Sequence, residues 1–425
     1  MSRPCLVIVL LLTSAACRTT KLPPFGAQAQ HLPAEEDEQQ LWRDADGLER
    51  EIDGSGARYK NDQLEEYLQG VASKLLAAET GSTALPLRTK IIRNPLLNAF
   101  ALPNGAIYMH TGMLARMDNE AQLASVLGHE LTHFTHRHAL KEMRSAQNKQ
   151  AWLGALQLVF GVGGAAVGGS QLGTALAQLT GELAGLWALA AVRGYSRDLE
   201  TEADVQGLRL LVDTGYDPNQ APAVFHHLQE DLGAEQGTEP FFFGTHPRLQ
   251  ERIDNYRRLL DTQYSAQAAE PGRRKNADEF LTAIGELPLD NAALDMEIGR
   301  LQIARAAIDH YLQRRPQSAR GYFLAGETHR RLGRDEGHTS DAIRAYQQAA
   351  RLDASYAEPH RELGLIYRSQ HHPAEARAEF DRYLTLSPQA VDAPIIRGYR
   401  DALPGHNGKV RGRSGGASGW AQGCG

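Results

Sequence analysis

Cysteine is nearly absent. The 425 residues hold three, Cys5, Cys17 and Cys424, with none between the last two. No internal disulfide framework can form, whatever the redox compartment. Positive charge is not in excess either. The formal net charge is −6, so no general basic surface argues for nucleic acid, and no nucleic-acid partner is expected. Long uninterrupted apolar runs are also missing. The first, Leu6 to Leu12, is too short to span a bilayer. What remains is ordinary for globular protein, with 42% apolar and 23% charged residues. The length allows two or three domains.

Residues 1–17, "MSRPCLVIVLLLTSAAC", place Arg3 before the apolar run and small residues before Cys17. That order reads as a secretory signal rather than a membrane span. "SAAC" resembles a bacterial lipoprotein signal, whose cysteine is lipidated and becomes the mature N-terminus. Ser14 departs from the usual Leu of that signal. An ordinary cleaved signal with an incidental cysteine is the alternative. On the lipoprotein reading Cys5 is lost, Cys17 is acylated, and only Cys424 keeps a thiol.

Residues 18–40 are polar with scattered prolines and read as a tether. From Leu41 to Ala78 the apolar spacing is helical, as in Leu64, Tyr67, Leu68, Val71 and Leu75. "LPLRTKIIRN" reads as a strand, and "AIYMHTGML" as a second, entered from a tight turn at Asn104-Gly105. Asp118 or Asn119 can cap a helix through "EAQLASVLGHELTHFTHRHALKEM". Residues 151–192 are apolar and glycine-rich, without charge between Lys149 and Glu182. Two apolar helices forming a hairpin over a cleft or against a membrane surface fit this segment best. A true span and a buried core hairpin are the alternatives. "SRDLETEADVQGLRLLVDTG" reads as a helix stopped by Gly215 and Pro218. Residues 262–277 read as a linker, and 404–425 as a glycine-rich disordered tail.

Between them, residues 278–403 carry an internal repeat. Leu363, Gly364, Tyr367, Ala376, Phe380, Tyr383 and Pro388 fall at the spacing of one tetratricopeptide repeat. Tyr322, Gly326, Ala342, Tyr346 and Ala349 mark the preceding unit, with an insertion near "RDEGHTS". Ala304, Ile308, Tyr311 and Pro316 match the second helix of a more degenerate unit. Such hairpins bury their apolar faces only by stacking, which predicts a short solenoid for protein partners.

The chemistry concentrates in "GHELTHFTHRH" from Gly128 to His138. His129 and His133 are four apart, one above the other on a helix face, so both imidazoles can reach one Zn²⁺. Glu130 is turned by one residue and can reach the attacking water as a general base without binding metal. A third ligand is required. The metzincin pattern fails, because positions 136 and 139 hold His136 and Ala139. "SRDLETEAD" offers instead Glu200 as ligand and Asp204 as the acceptor of a ligand histidine's free N–H. Glu202 is the weaker ligand candidate. A solvated helix face is the structural alternative for this acidic pair.

"NAFALPNGAIYMHTGML", "NEAQLASVLGHELTHFTHRH", "SRDLETEAD" and "HPRLQERI", in that order, resemble the zinc metallopeptidase family of HtpX, the Oma-type proteases and the CAAX prenyl endopeptidases. The resemblance covers residues 60–260. With the lipoprotein-like signal and the repeats, the whole chain is similar to BepA-type periplasmic proteases. It implies an α+β HExxH zinc-peptidase domain over residues 41–261, mainly α with a small β-sheet, followed by an all-α tetratricopeptide-repeat solenoid. It implies one Zn²⁺ per chain on His129, His133 and Glu200, with Glu130 as general base and Asp204 behind the ligands. His246 and Arg252 fall in the "HPxxxxRI" match and stand with Glu130 as the candidate catalytic residues that the resemblance implies. The resemblance implies that His246 approaches the zinc and holds the enzyme closed; a helix-capping role is the alternative. His138 matches the family's "RH", without an assigned role, and His136 is an extra. Substrate is implied to add as a strand along the domain's edge strand, expected near Ala106–His110. The implied function is degradation of unfolded or misassembled envelope polypeptides in outer-membrane quality control. The implied location is the bacterial periplasm, with a lipid anchor at the outer membrane and repeats that meet a protein partner, such as the outer-membrane assembly machinery. A chaperone or adaptor with a largely latent protease is the competing reading.

Overall fold

In the computed structural model of the chain the described residues are 22–26, 33, 35–82, 84–145, 195–234, 249–333 and 336–404. The expected signal with Cys17, the apolar segment 151–192, His246 and the tail past Pro404 lie outside them. The chain divides into two compact units, residues 1–307 and 308–425.

Two helices, α1 (Glu36–Gly54) and α2 (Asp62–Thr80), replace the single expected helical run. The break falls at Gly56, whose φ of 79° suits a residue without Cβ. Asn61 caps α2 by accepting from the Leu64 amide at 3.1 Å. Leu64, Leu68, Val71 and Leu75 are buried on one face of α2, each leucine contributing roughly 1.5–3 kcal/mol by leaving water. Part of the expected tether is also tied down. Phe25 donates its amide to the Thr135 carbonyl at 2.8 Å, and its ring meets Phe134 edge-on at 5.5 Å.

The sheet holds β1 (Arg88–Ile92), β2 (Ala99–Ala101) and β3 (Ala106–His110) in the order β1-β3-β2. β3 runs parallel to β1 and antiparallel to β2. The short strand β2 was not expected. It pairs back on β3 through the turn at Asn104-Gly105, where Gly105 has φ 88°. This corrects the expected edge: Ala106–His110 is the central strand, buried along its whole length, and β2 is an edge. The expected strand also stops early, and Thr111–Arg116 turn into the short helix α3.

Helix α4 (Glu120–Thr135) carries the first histidines and is buried at every position. Asn119, rather than Asp118, caps it by accepting from the Gln122 amide at 3.0 Å. The helix does not run on through "ALKEM" as the sequence suggested. Arg137 takes a left-handed conformation, φ 58°, and α5 (His138–Arg144) restarts in a new direction. After it come α6 (Arg197–Asp213), α7 (Gln220–Ala234) and α8 (Leu249–Thr262). α4 packs against α2, α6, α7 and β2.

The expected linker at 262–277 is packed rather than extended. It contains α9 (Ser265–Ala269), and Arg273 donates to the Tyr216 carbonyl at 2.7 Å. The next helices, α10 (Ala277–Ile284) and α11 (Leu287–Glu297), belong to the first unit. Phe280, Ile284 and Leu287 join its main core, and Thr111 Oγ1 lies 2.9 Å from Asn291 Oδ1. The division between units falls inside α12 (Leu301–Arg314), well past the expected boundary.

The second unit continues with α13 (Ala319–Leu332), α14 (Glu336–Leu352), α15 (Glu358–Ser369), α16 (Pro373–Leu386) and α17 (Ala393–Asp401). Consecutive helices pair as the repeat spacing requires. A Cβ on Gly326 would stand 2.5 Å from the Tyr346 ring, and one on Gly364 would stand 2.5 Å from the Phe380 ring. Each pair thus closes an aromatic over a glycine, which explains those two repeat positions. Among the described residues, no helix is long and apolar enough to cross a membrane.

Candidate metal centre

One turn of α4 separates His129 from His133, and their Nε2 atoms lie 3.0 Å apart. One turn of α6 separates Glu200 from Asp204. The two helices cross where Gly128 meets Gly207 backbone to backbone, and that contact lays Glu200 over both histidines. Glu200 Oε2 is 3.5 Å from His129 Nε2, and Oε1 is 3.5 Å from His133 Nε2. Ligand atoms at 2.0–2.1 Å around a tetrahedral Zn²⁺ stand roughly 3.3 Å from one another. The three donors therefore have the chemistry and the spacing to hold one such ion. Glu130 is buried on the same turn.

The other face of His129 is held from two helices. Asp204 Oδ1 lies 3.0 Å from His129 Nδ1, so the ring donates there and turns Nε2 toward the metal position. Arg252 on α8 donates Nη2 to Asp204 Oδ1 at 2.6 Å and Nε to Oδ2 at 3.0 Å. Tyr256, one turn further along α8, donates its hydroxyl to Asp204 Oδ1 at 2.9 Å. Arg252 Nη2 also lies 3.1 Å from His129 Nδ1. With the Nδ1 hydrogen on Asp204 this is an approach through the shared acceptor, not a hydrogen bond.

Burial pushes the Asp204 carboxyl up, but Arg252 and His129 outweigh it and hold it below the usual carboxylate range. Arg252 is buried too, and Asp204 and Glu200 keep it cationic. For His129, burial and Arg252 push the ring down. Asp204 and Glu200 outweigh them and hold it up to about 9 in the metal-free protein. Zinc uptake there must displace that proton.

A second group of polar residues lies behind His133. His138 Nδ1 is 2.9 Å from His133 Nδ1. His138 Nε2 approaches Glu202 Oε2 at 3.3 Å, a longer and weaker contact. His136 bridges Glu202 at 2.5 Å and Glu79 at 2.9 Å. Contact with His138 and a hydrogen bond with His136 hold the Glu202 carboxyl well below its usual range, while burial holds the His138 imidazole down. Tyr195 stacks on the His133 ring, centroids 4.0 Å apart and 17° from parallel. A pocket of about 230 Å³ opens beside Glu200, with Tyr195, Arg197, Glu251 and Asn255 among its walls.

The structure thus brings His129, Glu130, His133, Glu200, Asp204 and Arg252 to one place, and it turns Glu202 away from the three donors. Sequence reasoning missed Tyr256 and Tyr195. Tyr256 carried a signal, since it stands four residues after Arg252 on the same helix face. Tyr195 and the role of His138 carried none, because both depend on how the chain returns to α4.

Residues 60–260 match peptidase family M48, and residues 334–370 match a TPR repeat. Over 264 residues the chain is 29% identical to a beta-barrel assembly-enhancing protease of Escherichia coli (strain K12), an alignment covering 62% of this chain and 50% of the relative. It is 31% identical over 180 residues to the mitochondrial metalloendopeptidase OMA1 of Arabidopsis thaliana, covering 42% of this chain and 33% of the relative. It is 30% identical over 188 residues to the mitochondrial metalloendopeptidase OMA1 of Schizosaccharomyces pombe, covering 44% and 50%. The chain spans half or less of the length of these relatives.

Proposed function

We propose, from the match of residues 60–260 to peptidase family M48, that the chain is a zinc-dependent endopeptidase of envelope protein quality control. Its substrates are unfolded or misassembled polypeptides, and its repeats recruit a protein partner or the substrate itself. It works in a bacterial periplasm, with Cys17 as the lipid-bearing residue at the outer membrane. The observation that carries the reading is the set of three buried donors, His129 Nε2, His133 Nε2 and Glu200, 3.0–3.5 Å apart beside Glu130.

Zinc bound by these donors would supply Lewis-acid polarisation of a scissile carbonyl and make a nearby water more acidic. The Glu130 carboxylate takes a proton from the attacking water and later passes it to the departing amine nitrogen. Asp204, held by Arg252 and Tyr256, keeps His129 in the tautomer whose Nε2 is free to bind. An extended substrate adds beside β2, the edge strand that packs on α4. Backbone hydrogen bonds along such an edge read little sequence, which suits unfolded chains of many kinds.

The deciding experiment compares the parent chain with Glu130→Gln in zinc content and casein hydrolysis. The variant keeps its zinc and loses about 10²–10⁴-fold in rate, the range for one proton-transfer group. Full activity in Glu130→Gln would overturn the assignment of the base. Zinc binding without hydrolysis in the parent, with partner binding retained, would favour an adaptor whose protease is latent.

A further inference from the structure

Outside the three donors, His136, His138 and Glu202 also stand close enough to share a metal ion, and the His133 tautomer decides against that use. When the Nε2 lone pair of His133 binds zinc, its ring hydrogen must sit on Nδ1. Among the described residues, an acceptor in reach is His138 Nδ1 at 2.9 Å. A neutral His138 that accepts on Nδ1 carries its own hydrogen on Nε2, which faces Glu202 Oε2 at 3.3 Å. Its Nε2 lone pair is then gone, and it cannot bind a second metal. His136 holds Glu202 in place from the other side, bridging it at 2.5 Å to Glu79 at 2.9 Å.

The backbone is built to deliver His138 to this spot. Arg137 adopts φ 58°, a conformation that a non-glycine residue keeps only where its surroundings enforce it. They do: Arg137 grips the buried Glu38 of α1 with two hydrogen bonds of 2.8 and 2.6 Å and lies over the Phe25 ring. The reversal places His138, fully buried, against His133.

We propose that His138 is a positioning residue: it accepts the Nδ1 hydrogen of His133 and fixes the tautomer that aims Nε2 at the metal, while its own Nε2 faces Glu202. This deepens the zinc-peptidase reading and rests on it. His129 and His133 then have separate outer supports, a carboxylate for one and an imidazole–carboxylate pair for the other.

The test uses the full chain and zinc alone as the probe, with affinity read by competition against a chromophoric chelator. His138→Leu fills the space without an acceptor and weakens zinc binding by about 10–100-fold, the usual cost of losing such a support. His138→Asn places a carbonyl oxygen where Nδ1 was and recovers most of that loss. Thermal unfolding of the metal-free proteins monitors folding. If His138→Leu does not fold, His138→Ala against His138→Asn carries the same comparison. Unchanged zinc affinity in His138→Leu overturns the proposal and leaves the peptidase reading standing. Equal weakening in the Leu and Asn variants also overturns it, since packing rather than an acceptor would then be what His138 supplies. A parent chain that binds no zinc overturns both.

Discussion

Gly207 on α6 lies against the backbone of His129 on α4, so close that a Cβ there would stand 3.0 Å from the His129 nitrogen. The reciprocal contact is equally tight, with a Cβ on Gly128 falling 3.2 Å from the Gly207 carbonyl oxygen. Nothing but main chain separates the helices at this crossing. It sets the distance from Glu200 to the two histidines.

Gly207→Ala tests this directly. The methyl pushes α6 off α4, and overpacking of this kind costs roughly 1–3 kcal/mol. It outweighs the gain of about 1 kcal/mol in helix propensity. The expected outcome is a lower unfolding temperature together with weaker zinc binding. Zinc affinity equal to the parent's would mean that the crossing does not set the ligand geometry.

Asp204 and Arg252 form a buried pair, and removing one partner strands the other. Arg252→Ala is expected to destabilise the metal-free fold by about 3–5 kcal/mol, measured by chemical denaturation. The double variant Asp204→Asn/Arg252→Met recovers much of that stability, because the buried carboxylate and the buried guanidinium are removed together. It does not recover zinc affinity, because the amide is a poorer acceptor for His129 Nδ1. Recovery of both would separate Asp204 from the metal site.

His110 ends β3 fully buried, and burial holds its imidazole down to about 4, with a Leu96 backbone hydrogen bond opposing only in part. The unfolded chain binds a proton near the ordinary value of about 6.5. Between pH 6.5 and 4 the unfolded state therefore carries the extra proton. Folding stability falls as pH drops through that window and the His110 contribution levels off below it. The full effect is about 3 kcal/mol. His110→Gln removes this component, so the stability difference between parent and variant changes across pH 4–6.5 and is constant above it. A difference that does not vary with pH would show that His110 takes up a proton without cost.

Sequence alone determined the parts that are local. The i, i+4 pairs His129/His133 and Glu200/Asp204 share a helix face by periodicity, whatever surrounds them, and Glu130 follows from the same turn. The repeats were legible for a related reason: Gly326 with Tyr346 and Gly364 with Phe380 are small-to-large contacts between helices adjacent in the chain. Tertiary structure decided everything that depended on which face meets which. The edge strand shifted from Ala106–His110 to β2 because hairpin pairing gave β3 neighbours on both sides. The first unit ran on to Ala307 because Phe280, Ile284 and Leu287 found their apolar partners in its core rather than in the repeats. The helix carrying the histidines broke at Arg137 because Glu38, far away in sequence, holds the left-handed residue in place. A helical pattern records how wide an apolar or polar face is. It does not record the residue across from that face, and the links from Asp204 to Arg252 and from His133 to His138 are of that second kind.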